Sequence, residues 1–272
     1  GADYNGPRTE VDPFQPIQTA HDAVDAGTVA VILKTGSVLF SATGQATVLI
    51  YGPSLFTALD ELRPQNEQTL ATAAGFAVTV WNAATWSTKT SADFAKFSAI
   101  VLPDENCVYD TGHLLTANNT KPIWSPVVTG RIVVVGTDPI YHQFDQTQAL
   151  TLMTNGIKFA ASDPNATGLY IALGCTYALT TAETPVSVLS QIGAFSVIGQ
   201  SGLGQTVTIS NAAHPVMTSI TAAGLSNWHI TAHEAFPMLS SYPLGFAPLA
   251  TIYKSSTETN VAYIIARDTP AP

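Results

Sequence analysis

Val48-Leu-Ile-Tyr51 is the first of five short apolar runs, and the others are Val78-Thr-Val-Trp81, Ala99-Ile-Val-Leu102, Ile132-Val-Val-Val135 and Leu169-Tyr-Ile-Ala172. The segments between them carry helical signals, and most of the runs end close to Gly, Pro or Asp. Apolar strands joined by helices indicate a parallel sheet that is covered on both faces. The runs therefore predict an α/β fold. This fold class supports many unrelated activities, so it does not by itself predict one.

The segments on either side of these runs predict smaller additions. Residues 1–27 contain three prolines and no regular period, which predicts an extended arm, and residues 28–45 predict a β-hairpin. Two apolar runs flank residues 255–260 and predict an antiparallel hairpin at the sheet edge. We therefore expect a flavodoxin-like, doubly wound, mostly parallel sheet over residues 46–268, followed by a tail or linker at residues 269–272.

Helical spacing and capping residues predict helices between the strands. Ser54 is a suitable N-cap for a helix that carries Leu55, Phe56, Leu59 and Leu62, and Pro64 interrupts this helix. A second piece runs to Ala74 and ends at Gly75, as a C′ glycine should. Further helices are expected at residues 91–97, 147–161 and 186–192.

The composition narrows the classes of function. Charged residues make up 11% of the 272 residues, against roughly 25% in an average soluble domain. The net charge is −9 with ten Lys and Arg, so the chain has little attraction for phosphate backbones and we expect no nucleic-acid binding. No apolar run reaches the roughly 18 residues that a membrane span needs. A polar but weakly charged surface favours an extracellular or cell-surface location.

Cysteines and glycosylation sequons add to that picture. Cys107 and Cys175 are the two cysteines, and each follows the C-terminal end of a predicted strand, so both lie at the same sheet edge. They either form a disulfide, which would contribute about 4 kcal/mol by closing a long loop, or remain free thiols. Asn118 and Asn165 begin N-x-Thr sequons in predicted loops.

The carboxyl ends of the strands gather candidate catalytic residues. In a doubly wound sheet, ligands bind beyond these ends, at the point where the strand order reverses. If the order is 2-1-3-4-5, that edge brings together Asp104, Glu105, Asp138 and His142. A carboxylate with a nearby His can carry out general acid–base chemistry. The alternative is that the Asp residues simply cap the helices that follow.

Three later segments carry a family resemblance, and they are His214-Pro-Val-Met217, Ser226-Asn-Trp228 and His233-Glu-Ala-Phe236. Together with the strand succession and the acidic residues after the third strand, they resemble the class I glutamine amidotransferase-like superfamily. Within it, the chain is most similar to trehalose-utilisation (ThuA)-like domains, which share the His-Pro segment and a terminal strand hairpin. The resemblance covers roughly residues 47–268. It implies the same sheet, with a nucleophilic Cys in a Gly-x-Cys-x-Gly turn.

The chain departs from the family at that nucleophile. Gly136-Thr-Asp-Pro139 follows the fourth strand, so Thr137 or Asp138 stands where the family has Cys. A Thr without a basic partner is a poor nucleophile. Cys175 lies in Gly174-Cys-Thr-Tyr177, one strand too late. We therefore expect no glutamine hydrolysis.

Three histidines are candidate metal ligands. His229 and His233 would lie one turn apart on a helix, and His214 could supply a third zinc ligand. Gly224, Ser226 and Asn227 argue against a long helix at this point. We therefore expect hydrogen-bonded structural histidines, with no metal and no cofactor.

Two functions fit these observations. The first is a non-catalytic structural or interaction protein on a degenerate amidotransferase-like fold, which self-associates through residues 1–27 or binds other surface proteins. The alternative is a ThuA-like carbohydrate-active enzyme or sugar-binding protein, in which Asp104, Glu105, Asp138 and His142 converge at the strand-end cleft. A cleft filled by Tyr109, Tyr141 and Tyr177 would exclude the alternative.

Overall fold

The computed structural model describes residues 29–33, 36–40, 45–105, 107–144 and 146–268. The predicted arm at residues 1–27 and the tail at 269–272 lie outside the described residues. The chain divides into two compact units after Gln45. In the first unit, β1 (Val29–Leu33) pairs with β2 (Gly36–Phe40) in antiparallel register, which is the predicted hairpin.

The second unit alternates strands and helices along the chain. Its strands are β3 (Thr47–Tyr51), β4 (Ala77–Trp81), β5 (Ala99–Leu102), β6 (Ile132–Val135), β7 (Gly168–Ala172), β8 (Thr184–Pro185), β9 (Ser196–Gly199), β10 (Leu203–Ile209), β11 (Glu234–Ala235), β12 (Ala247–Lys254) and β13 (Thr259–Arg267). Its α-helices are α1 (Glu67–Ala73), α2 (Ala83–Ser87), α3 (Ser91–Phe94), α4 (Leu115–Asn119), α5 (Lys121–Trp124), α6 (Pro139–His142), α7 (Thr147–Ala160) and α8 (Ala222–Leu225). None of the helices in the described part of the chain is long and apolar enough to cross a membrane.

Eight strands form the main sheet, in the order β10-β12-β13-β6-β7-β5-β3-β4. The five strands from β6 to β4 are mutually parallel, and β13, β12 and β10 add an antiparallel edge. The predicted fold class is therefore confirmed. The order of the parallel strands is 2-1-3-5-4, however, because β7 lies between β5 and β6. The strand order still reverses between β3 and β5, as expected.

The parallel strands are buried on both faces. Ile50, Val101 and Val133 pack against the apolar sides of α1 and α7 on one face. Leu49 and Ile100 pack on the other face, where Trp86, Phe94 and Trp124 are also fully buried. Successive side chains of a strand point to opposite faces, so burial of both faces requires a continuous apolar run.

The helix predicted to begin at Ser54 does not form. Gly52–Ser54 is a single 3-10 turn, and α1 begins only at Glu67. The carboxylate of Asp60 accepts hydrogen bonds from the backbone N–H groups of the two residues before Pro64, which closes a local turn. Such side-chain bonds compete with helical ones. Leu62 is 60% exposed, so the helical spacing of the leucines did not mark a buried face.

The remaining helix predictions had mixed outcomes. The longest helix, α7, covers the range predicted from residue 147. Gly75 has a φ of 90° and ends the α1 segment, as expected of a C′ glycine. The segment at 186–192 contains only a 3-10 turn at Ser187–Leu189.

Candidate functional site

A pocket of about 260 Å³ opens at the carboxyl edge of the parallel strands. Its wall includes Asp138, His142 and His233, with Cys107 at one side. A wider depression of about 400 Å³ lies beside Lys96 and Asn165, which precede β5 and β7 at the opposite edge of the sheet. That depression contains no cluster of titratable side chains among its described lining residues. The chemistry is therefore concentrated in the smaller pocket.

Asp138 and His142 are brought together by the short helix α6. Asp138 is the N-cap residue of α6, and Pro139 occupies the first helical position, where its missing N–H costs nothing. One helical turn later, His142 lies on the same face, and its Nε2 atom is 3.0 Å from Asp138 Oδ1. The ring of Trp228 packs 5.4 Å from the His142 ring and holds it in place.

His233 reaches the same carboxylate because residue 136 is glycine. The Gly136 carbonyl accepts hydrogen bonds from the backbone N–H groups of His233 at 3.0 Å and Glu234 at 3.1 Å. A Cβ atom at position 136 would overlap the carbonyl oxygen of Glu234, so a larger residue would push this segment away. The close approach places His233 Nε2 at 2.9 Å from Asp138 Oδ1.

Two imidazoles thus flank one fully buried carboxylate. Both Nε2 atoms are within ion-pair distance of Asp138 Oδ1, although neither contact has the direction of a good hydrogen bond. Burial acts to raise the pKa of Asp138, but the two imidazoles outweigh it and lower the pKa below its usual range. The carboxylate is therefore ionised at neutral pH. The other ring nitrogen of His142, Nδ1, is buried and has no hydrogen-bond partner among the described residues.

The predicted disulfide joins Cys107 and Cys175 beside this cluster. Cys175 Sγ lies 3.2 Å from His233 Nδ1 and 3.4 Å from Asp138 Oδ2. Each of Asp138 and His233 has one atom that could bind a metal ion, and these two atoms and the two sulfurs all lie within 4.8 Å of one another. Because the sulfurs are bonded to each other, only two free ligands remain here, fewer than the three that a zinc site requires.

The other histidines weighed as metal ligands do not join this set. His214 lies at the opposite edge of the sheet, where its Nε2 atom is 3.2 Å from Asp268 Oδ1. His229 is exposed on the pocket wall and has a positive φ of 68°. Cys107, on the same wall, has a φ of 61°. A non-glycine residue with a positive φ has a strained backbone, and such strain is often found at functional sites.

A second group of buried carboxyls lies near the pocket, and it consists of Glu67, Asp104 and Glu234. Burial raises the pKa of Asp104 well above its usual range, and the charges of Asp138 and Glu67 raise it further. Burial also raises the pKa of Glu234 well above its usual range. Glu67 Oε1 accepts a hydrogen bond from the Asp104 backbone N–H at 3.3 Å, and burial raises the pKa of Glu67 to about 7.

Replacement of Glu67 by glutamine should stabilise the protein at pH 8 by up to about 3 kcal/mol. The folded-state pKa of about 7 lies above the reference value of 4.5, so the folded protein binds more protons than the unfolded chain between these values. Wild-type stability therefore falls as the pH rises through this window. Urea unfolding at pH 5 and pH 8 measures the effect, which should be small at pH 5. The exposed Glu61→Gln variant is the control, and an equal gain at both pH values would contradict the assignment.

The structure brings together two of the four residues proposed for the cleft. Asp138 and His142 meet at the pocket, whereas Asp104 is buried behind its lining and Glu105 is half-buried outside it. His233 is predicted from sequence as a structural histidine in a segment of the family resemblance, and not as a residue of the cleft. The features in the sequence that relate to the position of His233 are Gly136 after β6 and the His233-Glu234 segment. The contact between Gly136 and that segment is not visible in the sequence.

The three tyrosines do not fill the pocket. Tyr109 and Tyr141 line its wall and remain 50% and 38% exposed. Tyr177 is buried outside the lining, and its backbone N–H donates to Glu234 Oε1 at 2.7 Å. The cleft is therefore open to solvent between two aromatic side chains.

The two sequons differ in their surroundings. Asn118 lies in helix α4 instead of the predicted loop, and its Oδ1 atom accepts hydrogen bonds from Lys121 Nζ and Ser187 Oγ. The predicted loop is absent here because Thr120, in the same sequon, is both the C-cap of α4 and the N-cap of α5, so the two helices follow each other directly. Asn165 lies in an exposed turn, as predicted.

Comparison of this chain with family models, with curated proteins and with solved structures finds no match. The amidotransferase-like resemblance therefore stays a prediction, and the function has to be argued from the pocket.

Proposed function

We propose that the pocket is the active site of an enzyme that transfers protons on a small, neutral carbonyl compound of the sugar class. The observation that carries this proposal is the buried Asp138–His142 pair at an open pocket. Asp138 Oδ1 lies 3.0 Å from Nε2 of His142, and the buried Nδ1 atom, unpartnered among the described residues, is the nitrogen that we assign to proton exchange with a substrate. A His oriented by a carboxylate is a common general acid–base arrangement.

The lining of the pocket supports this class of substrate. Of the described residues that form the wall, none is Lys or Arg, so an anionic substrate such as a sugar phosphate would meet no compensating charge. The exposed rings of Tyr109 and Tyr141 offer apolar faces with polar tips, which suit a neutral hydroxylated molecule. Glycoside hydrolysis fits less well, because it ordinarily needs two flanking carboxylates and Asp138 is the one carboxylate among the described lining residues.

Proton transfer next to a carbonyl can be tested without knowing the product. We expect the protein in D₂O to replace hydrogen by deuterium at the carbon next to the carbonyl of at least one aldose or ketose in a panel. ¹H NMR would follow the loss of that signal. The His142→Gln variant should lack this activity, whereas His214→Gln, outside the pocket, should retain it. Absence of exchange across the panel would contradict the proposal.

Self-assembly through residues 1–27 is the second candidate, and the outer strands of the described sheet favour it. Within the described second unit, β4 and β10 are the outer strands of the eight-stranded sheet. A free edge can accept a strand from another chain.

Deletion of residues 1–27 tests that candidate. We expect the full chain to form oligomers in light scattering and the truncated chain to be monomeric, because the arm would no longer reach a neighbouring sheet edge. The truncated chain should retain its cooperative unfolding, as a control for folding. Full-length protein that is monomeric at all concentrations would contradict assembly.

A further inference from the structure

The two sulfurs of the disulfide are not equally accessible. Cys107 is partly exposed and lines the pocket, whereas Cys175 is 1% exposed. A thiolate that enters the pocket from solvent therefore reaches Cys107 Sγ first. Attack on one sulfur of a disulfide expels the other, so Cys175 becomes the leaving group.

The polar groups around Cys175 suit a leaving sulfur. His233 Nδ1 is 3.2 Å from Cys175 Sγ, close enough to deliver a proton to it. Asp138 Oδ2 is 3.4 Å from the same sulfur, and it can accept a hydrogen bond once that sulfur carries a proton. While the disulfide is intact, the sulfur has no proton to donate. His233 and Asp138 are 2% and 0% exposed, so both groups are held at the sulfur away from solvent.

We propose that Cys107–Cys175 is a redox-active disulfide, reduced through the pocket by a dithiol, with His233 as the general acid. A thiolate of the dithiol attacks Cys107 Sγ and forms a mixed disulfide. The electron pair of the broken S–S bond passes to Cys175 Sγ, which takes the proton from His233 Nδ1. The resulting thiol donates to Asp138.

The second thiol of the dithiol completes the exchange. It gives its proton to His233, and the thiolate so formed attacks the dithiol's own sulfur in the mixed disulfide. The dithiol leaves as a disulfide, and Cys107 is released as a thiolate. Two electrons have passed from the dithiol to the protein, and His233 has regained its proton. This redox activity is distinct from the proposed proton transfer on a carbonyl compound, because its general acid is His233 and not His142.

Reduction of the folded protein by dithiothreitol tests the proposal. Aliquots quenched in acid and alkylated with a maleimide show the reduced fraction by intact mass. We expect the His233→Gln variant to be reduced about a hundredfold more slowly than wild type, the lower end of the usual contribution of a general acid. His214→Gln, which changes a histidine at the opposite sheet edge, should match wild type. Equal rates for wild type and His233→Gln would overturn the role of His233.

Single-cysteine variants test the direction of attack even if His233→Gln fails to fold. In the Cys175→Ser variant, Cys107 should form a mixed disulfide with oxidised glutathione under native conditions. In Cys107→Ser, the buried Cys175 should react at least tenfold more slowly. Faster reaction at Cys175 would overturn the proposal, as would reduction of wild type only at its rate of global unfolding. If the protein catalyses no deuterium exchange on the aldoses and ketoses while these thiol results hold, the proposed function is refuted and the redox-active disulfide is still supported.

Discussion

Asparagine at position 138 should lower the rate of substrate proton exchange roughly a thousandfold, within the range found for general acid–base catalysis and for loss of an orienting carboxylate. Asn has nearly the size of Asp and keeps one acceptor oxygen, but it lacks the negative charge that both imidazoles face. Without that charge, His142 loses the partner that selects its tautomer and supports its protonated form. The measurement is deuterium incorporation by ¹H NMR across a range of pH.

A matched control is available elsewhere in the chain. Asp268 also pairs with a histidine, His214, at 3.2 Å, but the pair lies outside the pocket. Asp268→Asn should therefore leave exchange unchanged. Asp138→Asn should also alter the pH profile of the remaining activity, which a purely structural defect would not do. A variant that folds, keeps its full rate and keeps the wild-type pH profile would show that Asp138 has no orienting role.

Removal of the disulfide should lower the free energy of unfolding by about 4 kcal/mol. Cys107 and Cys175 are 68 residues apart in sequence, so their bond restricts a long loop of the unfolded chain. Loss of this restriction raises the entropy of the unfolded state and favours unfolding. Urea unfolding of the double variant with alanine at both positions, compared with oxidised wild type, measures the difference.

Reductant should not change the free energy of unfolding of the double variant. In wild type, reduction should lower the free energy of unfolding by about as much as the double substitution does. This comparison separates the effect of the bond from the effect of the alanine side chains. A loss below about 1 kcal/mol in both experiments would mean that the unfolded chain is already restricted, or that the folded protein is strained by the bond.

Part of the candidate site was predictable because it depends on local sequence. Asp138 and His142 both follow the fourth predicted strand, so the sequence places them at one sheet edge, and α6, which was not predicted, brings the N-cap Asp138 and His142 into contact. The disulfide was one of two open alternatives, because both cysteines follow strands that end at the same sheet edge, and the placement of β7 beside β5 brought them together. Asp104 also follows a strand, yet it points into the buried carboxyl group instead of the pocket, and no local rule distinguishes the two directions.

The helix expected at Ser54 shows the limit of periodicity. Apolar residues at helical spacing predict a helix only when a surface is available to bury them. Leu59 and Leu62 are 40% and 60% exposed, and Asp60 closes a turn with local hydrogen bonds in their place. The sequence contains both the helical spacing of the leucines and the turn-forming Asp60. Which of the two determines the local structure depends on whether a neighbouring surface can bury the leucines.

The sequence alone determined the strands of the parallel sheet and the antiparallel edge, and it predicted a candidate cleft where the parallel strands end. These follow from a continuous apolar run for each buried strand and from the rule that parallel strands end at one edge. Only the tertiary structure placed β7 between β5 and β6. It also brought His233 into contact with Asp138, which lies 95 residues earlier in the chain, just after β6. Both depend on non-local packing, in particular on the space that Gly136 leaves for a distant segment, and such contacts leave no periodic pattern in sequence.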